Sequence, residues 1–309
     1  MKANKTKFIY ASMVLMLTFA LSAANCTWTG AAGDGKWSTA ENWSGNTKPI
    51  NGNWDNVTLT GDGLVDGVME NDIGEMSVNS LKITGSTPLV LNSAYEISIL
   101  TTGSNGLSIM PSCTINGNIR KTQAGSFYFG ANFTLNGSLV IDDAVTLGIY
   151  GAQNISVNFN GTVDGPCATL QPRCGSGSHI YFNGIVSVAQ LDSGRSYCQC
   201  APHFCVSGNK IGVFSHAYYR VYLDAENALS RDTVITWDRY YTENGNMSAA
   251  YLLNGAQQAD RIQSDPLPTG KTNLEHIMSK PGTYGASLTL YGNANAVCYA
   301  NIANDVSLT

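Results

Sequence analysis

The residues best able to do chemistry lie in one short run, Cys198-Gln199-Cys200-Ala201-Pro202-His203-Phe204-Cys205, with Cys167 and Cys174 upstream. Three thiolates and an imidazole are a sufficient donor set for tetrahedral zinc. The order Cys-x-Cys followed by His-x-Cys is not a zinc-finger spacing, however. Cys198, Cys200, His203 and Cys205 are therefore a metal candidate set with a rival reading, a disulfide-stapled loop drawn from Cys167, Cys174, Cys198, Cys200 and Cys205. The 8 cysteines of the chain permit complete pairing without fixing its connectivity. An oxidising compartment favours the disulfides, and no metal or other cofactor is expected on that reading.

Acidic residues are the next place to look, because glycoside hydrolysis needs two positioned carboxylates. Asp142 and Asp143 are adjacent, so a strand would send them to opposite faces. Asp164, Asp192 and Asp224 are 28 and 32 residues apart and read as solvated loop carboxylates. His179, His203, His216 and His276 show no His-x-x-x-His spacing, and no Ser/His/Asp or Cys/His nucleophile motif is present, so no catalytic residue is assigned. Aromatic residues concentrate in two places. Trp28, Trp37, Trp43 and Trp54 are four of the 5 tryptophans, and Tyr218, Tyr219, Tyr222, Trp237, Tyr240 and Tyr241 follow much later. Rings on an outer face stack on sugars, and rings on an inner face fill a core. The tryptophans read as a cluster sealing one end of the fold, with a carbohydrate-binding face as the functional alternative.

The elements that must position these residues are set by a rhythm. Asn-Gly recurs in Ile115-Asn116-Gly117, Leu135-Asn136-Gly137, Phe159-Asn160-Gly161 and Phe182-Asn183-Gly184, in steps of 20, 24 and 23 residues. Looser echoes stand at Leu59-Thr60-Gly61, Ile83-Thr84-Gly85 and Val206-Ser207-Gly208. Each Asn-Gly ends a short apolar-polar alternation, and period-two runs such as Leu139-Val140-Ile141 and Leu288-Thr289-Leu290 dominate the chain. Two architectures fit. Asn-Gly between alternating strands is a hairpin signal, which gives an antiparallel meander or sandwich. A fixed period gives a solenoid of coils, here a parallel β-helix of roughly 20–24-residue coils. In the β-helix an Asn recurs at one corner, its amides hydrogen-bond up the stack, and the following Gly is expected to supply a positive φ. The β-helix is the fold adopted here. A gap of 32 residues between Gly85 and Gly117 marks an inserted loop.

The termini and composition set the compartment. Lys2, Lys5 and Lys7 precede an apolar stretch from Phe8 to Ala20 and the small residues Ser22-Ala23-Ala24, the pattern of a cleaved export signal. The expected organisation is a signal peptide at 1–24, a Trp-rich cap at 25–55 and a β-helix at 56–309. The β-helix is expected to continue beyond Thr309, because the last residues read as the interior of a strand. The formal charge is −5, and charged residues make up 13% of the chain, with no basic run to bind nucleic acid.

Trp28-Thr29-Gly30, Gly33-Asp34-Gly35-Lys36-Trp37-Ser38 and Glu41-Asn42-Trp43 resemble the amino-terminal signature of bacterial surface proteins with autotransporter-associated β-strand repeats. Asn227-Ala228-Leu229, Thr233-Val234-Ile235, Tyr251-Leu252-Leu253-Asn254-Gly255, Ala286-Ser287-Leu288-Thr289-Leu290 and Asp305-Val306-Ser307-Leu308 are similar to the repeat itself. The resemblance implies a right-handed parallel β-helix passenger, exported, displayed at the cell surface and adhesin-like, with glycans or another surface component as partners. It carries over no catalytic residue. The alternative on the same fold is a secreted polysaccharide-active enzyme, a lyase or glycoside hydrolase.

Overall fold

The computed structural model describes residues 24–102, 105–192, 200, 202–213 and 225, and the backbone of Ala201, 214–216, Val221–Leu223, Val234–Trp237, Leu252–Leu253, Ala256–Gln257, Gly282–Tyr284 and Tyr299–Asn301. Residues 1–23 of the expected export signal, Cys198, Cys298, Asp224 and most of the carboxy-terminal aromatic and repeat-like stretches lie outside the described residues. Among the described residues no helix is long and apolar enough to cross a membrane.

The chain forms a parallel β-helix with three faces. The first face stacks Asp55–Thr60, the end of Met76–Thr84, Leu107–Ile109, Gly125–Phe129, Thr146–Gly151 and the end of Val163–Cys174. The second stacks Val68–Asn71, Leu89–Ser93, Cys113–Asn116, Phe133–Leu135, Ser156–Phe159, His179–Phe182 and Ala201–Phe204. The third runs from the start of Met76–Thr84 through Ile97–Ile99, Ile119–Lys121 and Leu139–Ile141 to the start of Val163–Cys174. All these ladders are parallel, and among the described residues antiparallel ladders occur only in the backbone segments after residue 220. The meander does not form because each Asn-Gly turns the chain from the second face onto the third instead of folding it back.

Period-two alternation explains the core. Ile115, Leu135, Phe159, Phe182 and Phe204 occupy one inward column, each registered on the next coil. The rings of Phe159 and Phe182 stack at 5.7 Å, and those of Phe182 and Phe204 at 5.4 Å. One inward position is not apolar. Lys121 stands in register with Ile99 and Ile141 and is wholly buried. Its Nζ donates to the carbonyls of Ile99 (3.4 Å), Leu100 (3.0 Å) and Thr101 (2.7 Å), so each ammonium N–H has an acceptor. Burial pushes its pKa down to about 8, and it remains a cation at neutral pH.

The asparagine ladder forms at the corner between the second and third faces. The Nδ2 of Asn116 donates to Oδ1 of Asn92 at 2.7 Å, Asn136 to Asn116 at 2.6 Å, Asn160 to Asn136 at 2.6 Å and Asn183 to Asn160 at 2.8 Å. The expected reason for the glycines is corrected. Gly117, Gly137, Gly161 and Gly184 do not have φ in the left-handed range. They are glycines because the corners touch. A Cβ on Gly117 would lie 2.6 Å from the Ser93 carbonyl oxygen, and on the other three it would run into the carbonyl of the glycine one coil below. The early echoes belong elsewhere: Gly61 and Gly85 follow first-face strands and so mark a different corner. Gly208, with a φ of 78°, follows a second-face strand.

The first coil is covered. Asn25–Thr27 adds a strand to Asp55–Thr60 on the first face, and Gly35 and Trp37 exchange backbone hydrogen bonds with Glu70 on the second. This occupies edges that would otherwise template association. Trp28, Trp37 and Trp43 are at most 2% exposed and meet edge to face, Trp28–Trp43 at 5.2 Å and Trp37–Trp43 at 5.7 Å. Trp43 Nε1 donates to the Trp37 carbonyl at 2.8 Å. Their rings present no face to a ligand. Trp54 stands apart from those ring contacts, half-buried, with a φ of 55°.

Candidate functional site

Outward positions of the first face carry the most ligand-like surface. Register places Lys82, Ser108, Tyr128, Tyr150 and Arg173 in one outward row, and Ser126, Gly148 and Gln171 in the next. The second row is low because Gly148 has no side chain. A Cβ there would lie 2.6 Å from the Tyr150 ring, so glycine is what lets that ring fold back over its own strand. The result is an open groove of about 600 Å³ floored by Gly125, Ser126, Gly148 and Gly151 and flanked by Tyr128 and Tyr150. Thr102 and Asn105 line its side. They come from the inserted loop, which stretches the register step from Lys82 to Ser108 to 26 residues, and Asn105 N–H donates to Ser126 Oγ at 3.1 Å.

Polar contacts hold the ring of Tyr150. Arg173 Nη1 donates to the Tyr150 hydroxyl at 3.0 Å, and its guanidinium carbon lies 5.9 Å from the ring centroid, a cation–π arrangement. Arg173 also faces Asp192 at 3.8 Å, and Gln171 Nε2 donates to the same carboxylate oxygen at 3.0 Å. Among the described residues the groove lining contains no charged side chain. It offers hydroxyl and amide groups from Thr102, Asn105, Ser126, Thr146 and Gln171 beside two phenol rings. A few polar groups among apolar surface at this volume is the make-up of a small-ligand site.

The residues singled out in the sequence are dispersed. Cys200 is buried in the core, Cys174 is buried at the end of a first-face strand, and Cys167 is exposed. The Cys200 thiol accepts a hydrogen bond from Cys174, which draws its pKa down, but no cysteines among the described residues stand at bonding distance. Among the described residues no three His, Cys, Asp or Glu side chains converge as a metal site. His203 lies on the second face between the inward Pro202 and Phe204, and its Nε2 meets His179 Nδ1 at 2.7 Å. Asp142 pairs with Arg120 at 2.7 Å on the third face. Tyr128, Tyr150, Gly148 and Arg173 were not singled out by any local motif. The signal that finds them is the coil period, since Tyr128 and Tyr150 are one coil apart.

No family model, curated protein or solved structure matches this chain.

Proposed function

We propose that this protein is an exported, adhesin-like β-helix scaffold whose first face binds saccharides in the Tyr128–Tyr150 groove. The observation that carries the reading is the Tyr150 ring, 37% exposed on one side and fixed by Arg173 beside a glycine floor. A pre-oriented ring loses little entropy on stacking against a pyranose, and the flanking amides and hydroxyls match sugar hydroxyls. The test is titration of immobilised and soluble glycans with the purified chain. Binding is expected to weaken about tenfold or more in Tyr150→Ala, a loss of roughly 1.4 kcal/mol or more. It should persist in Tyr95→Ala, since Tyr95 is 45% exposed but lies in the turn between Leu89–Ser93 and Ile97–Ile99, away from the first face. Equal binding by Tyr150→Ala and the parent protein, or no glycan bound at all, would refute the assignment.

A polysaccharide-active enzyme is the rival on the same groove. Hydrolysis by paired carboxylates would need two acidic groups there. The described lining supplies none, and Asp192 at its edge is engaged by Gln171 and Arg173. New reducing ends or unsaturated uronates released from a bound glycan would replace the scaffold reading with the enzymatic one.

A further inference from the structure

We infer that His179 and His203 form a two-imidazole binding site for a divalent copper or nickel ion on the second face of the β-helix. This goes beyond the saccharide groove and does not rest on it. The two histidines lie on neighbouring coils whose strands pair in parallel, with His179 opposite Ala201 and Tyr181 opposite His203, so the imidazoles meet across a diagonal. Nδ1 of His179 lies 2.7 Å from Nε2 of His203, and the ring centroids are 5.0 Å apart with planes tilted by 45°. In the metal-free protein one proton must sit between the two nitrogens, donated by one ring to the lone pair of the other. A metal ion takes the place of that proton and accepts both lone pairs.

At its present separation the nitrogen pair is nearest the spacing of neighbouring ligands in a tetragonal site. With metal–nitrogen bonds of about 2.0–2.1 Å, a nitrogen separation of 2.7 Å gives an angle at the metal of about 80–85°. That is close to the right angle between neighbouring ligands in a tetragonal copper(II) or nickel(II) site. Tetrahedral zinc would need the nitrogens about 0.6 Å farther apart. Each ring must turn about its Cβ–Cγ bond to aim its lone pair at the shared point, a soft torsion. Tyr181 braces the pair, its ring 4.3 Å from His203 and stacked at 26°, and 5.9 Å from His179 at 20°. The parallel strands below fix the separation of the two backbones.

Titration of the tag-free, metal-stripped protein with copper(II) near neutral pH, followed by electron paramagnetic resonance, tests the site. The expected result is one high-affinity copper per chain with hyperfine structure from two imidazole nitrogens, and weaker retention of zinc. His179→Ala and His203→Gln should each lower the affinity about tenfold or more and remove one nitrogen from the spectrum. Circular dichroism of both variants controls for folding, and Tyr181→Phe should keep the two-nitrogen signal. Copper bound equally well by both histidine variants, a spectrum without two imidazole nitrogens, or tighter binding of zinc than of copper would overturn the inference.

Discussion

Replacing Gly137 by alanine tests why the Asn-Gly corner repeats. A Cβ at this position runs into the carbonyl carbon and oxygen of Gly117 and lies 2.8 Å from Oδ1 of Asn118. Unstrained carbon–oxygen contact begins near about 3.3 Å, so the corner must lift by about 1 Å. It is pinned on both sides. Asn136 N–H donates to the Ile115 carbonyl at 2.9 Å, Ser138 N–H to Asn118 Oδ1 at 2.9 Å, and the Asn136 amide to Asn116 at 2.6 Å. Overpacking costs about 1–3 kcal/mol, and each hydrogen bond broken by the lift costs about 1 kcal/mol more. With one or two of these bonds broken the expected loss is about 2–5 kcal/mol, read as a lower urea midpoint by far-ultraviolet circular dichroism.

Two companion substitutions separate crowding from backbone conformation. Gly137→Asn would rescue the fold if a left-handed φ were the requirement, because asparagine visits that region readily. Crowding by the coil below makes asparagine at least as damaging as alanine. Gly52, with a φ of 85° and nothing within 4 Å of its would-be Cβ, represents the opposite case. Gly52→Ala should cost only about 1–2 kcal/mol, from the torsion alone. An unchanged midpoint in Gly137→Ala, or recovery in Gly137→Asn, would refute the account of touching corners.

Asn136→Ala removes two ladder bonds, to Asn116 and from Asn160, and should cost about 1–2 kcal/mol by the same denaturation assay. Lys121→Met leaves the carbonyls of Leu100 and Thr101 without their amine donor and should cost about 1–3 kcal/mol near neutral pH. The pH dependence has a definite sign. The folded pKa of Lys121, about 8, lies below its ordinary value of 10.5, so between those limits the unfolded chain binds more protons and the lysine's contribution to stability rises with pH. The buried thiols of Cys26 and Cys113, pushed up to about 11 and about 12, act in the opposite direction above the ordinary thiol pKa. The readout is therefore the gap between the parent protein and Lys121→Met, which should widen from pH 8 towards 10.5; a constant gap would exclude the buried cation as its source.

The β-helix was legible because two signals agree. Period-two alternation places Ile115, Leu135 and Phe159 inward, and the recurring Asn-Gly sets where each coil turns. The amide ladder follows from both. What the sequence leaves open is which corner a motif occupies, so Gly61 and Gly85 resemble Gly117 in spacing while lying at a different turn. The role of glycine was also hidden, because a need for close approach and a need for positive φ select the same residue. Lys121 was illegible for a related reason. Alternation marks it as inward, yet the carbonyls that make the position tolerable belong to residues 99–101, one coil earlier.

Those cases share a cause that also separates the proposed sites from the motif that looked most chemical. On a strand, neighbours point to opposite faces, so the compact run from Cys198 to Cys205 sends its described members in different directions: Cys200 into the core and His203 onto the second face. On a solenoid, residues one period apart share a face and lie one strand spacing away. Tyr128 with Tyr150 and Asn136 with Asn160 are such pairs, 22 and 24 residues apart, and His179 meets His203 across a diagonal of two neighbouring coils. None forms a local motif, and each makes a direct contact or a shared surface. The unit of chemistry in this chain is therefore a column read down successive coils. A substitution one coil away from a site residue, in register, should disturb that site more than a substitution next to it in sequence.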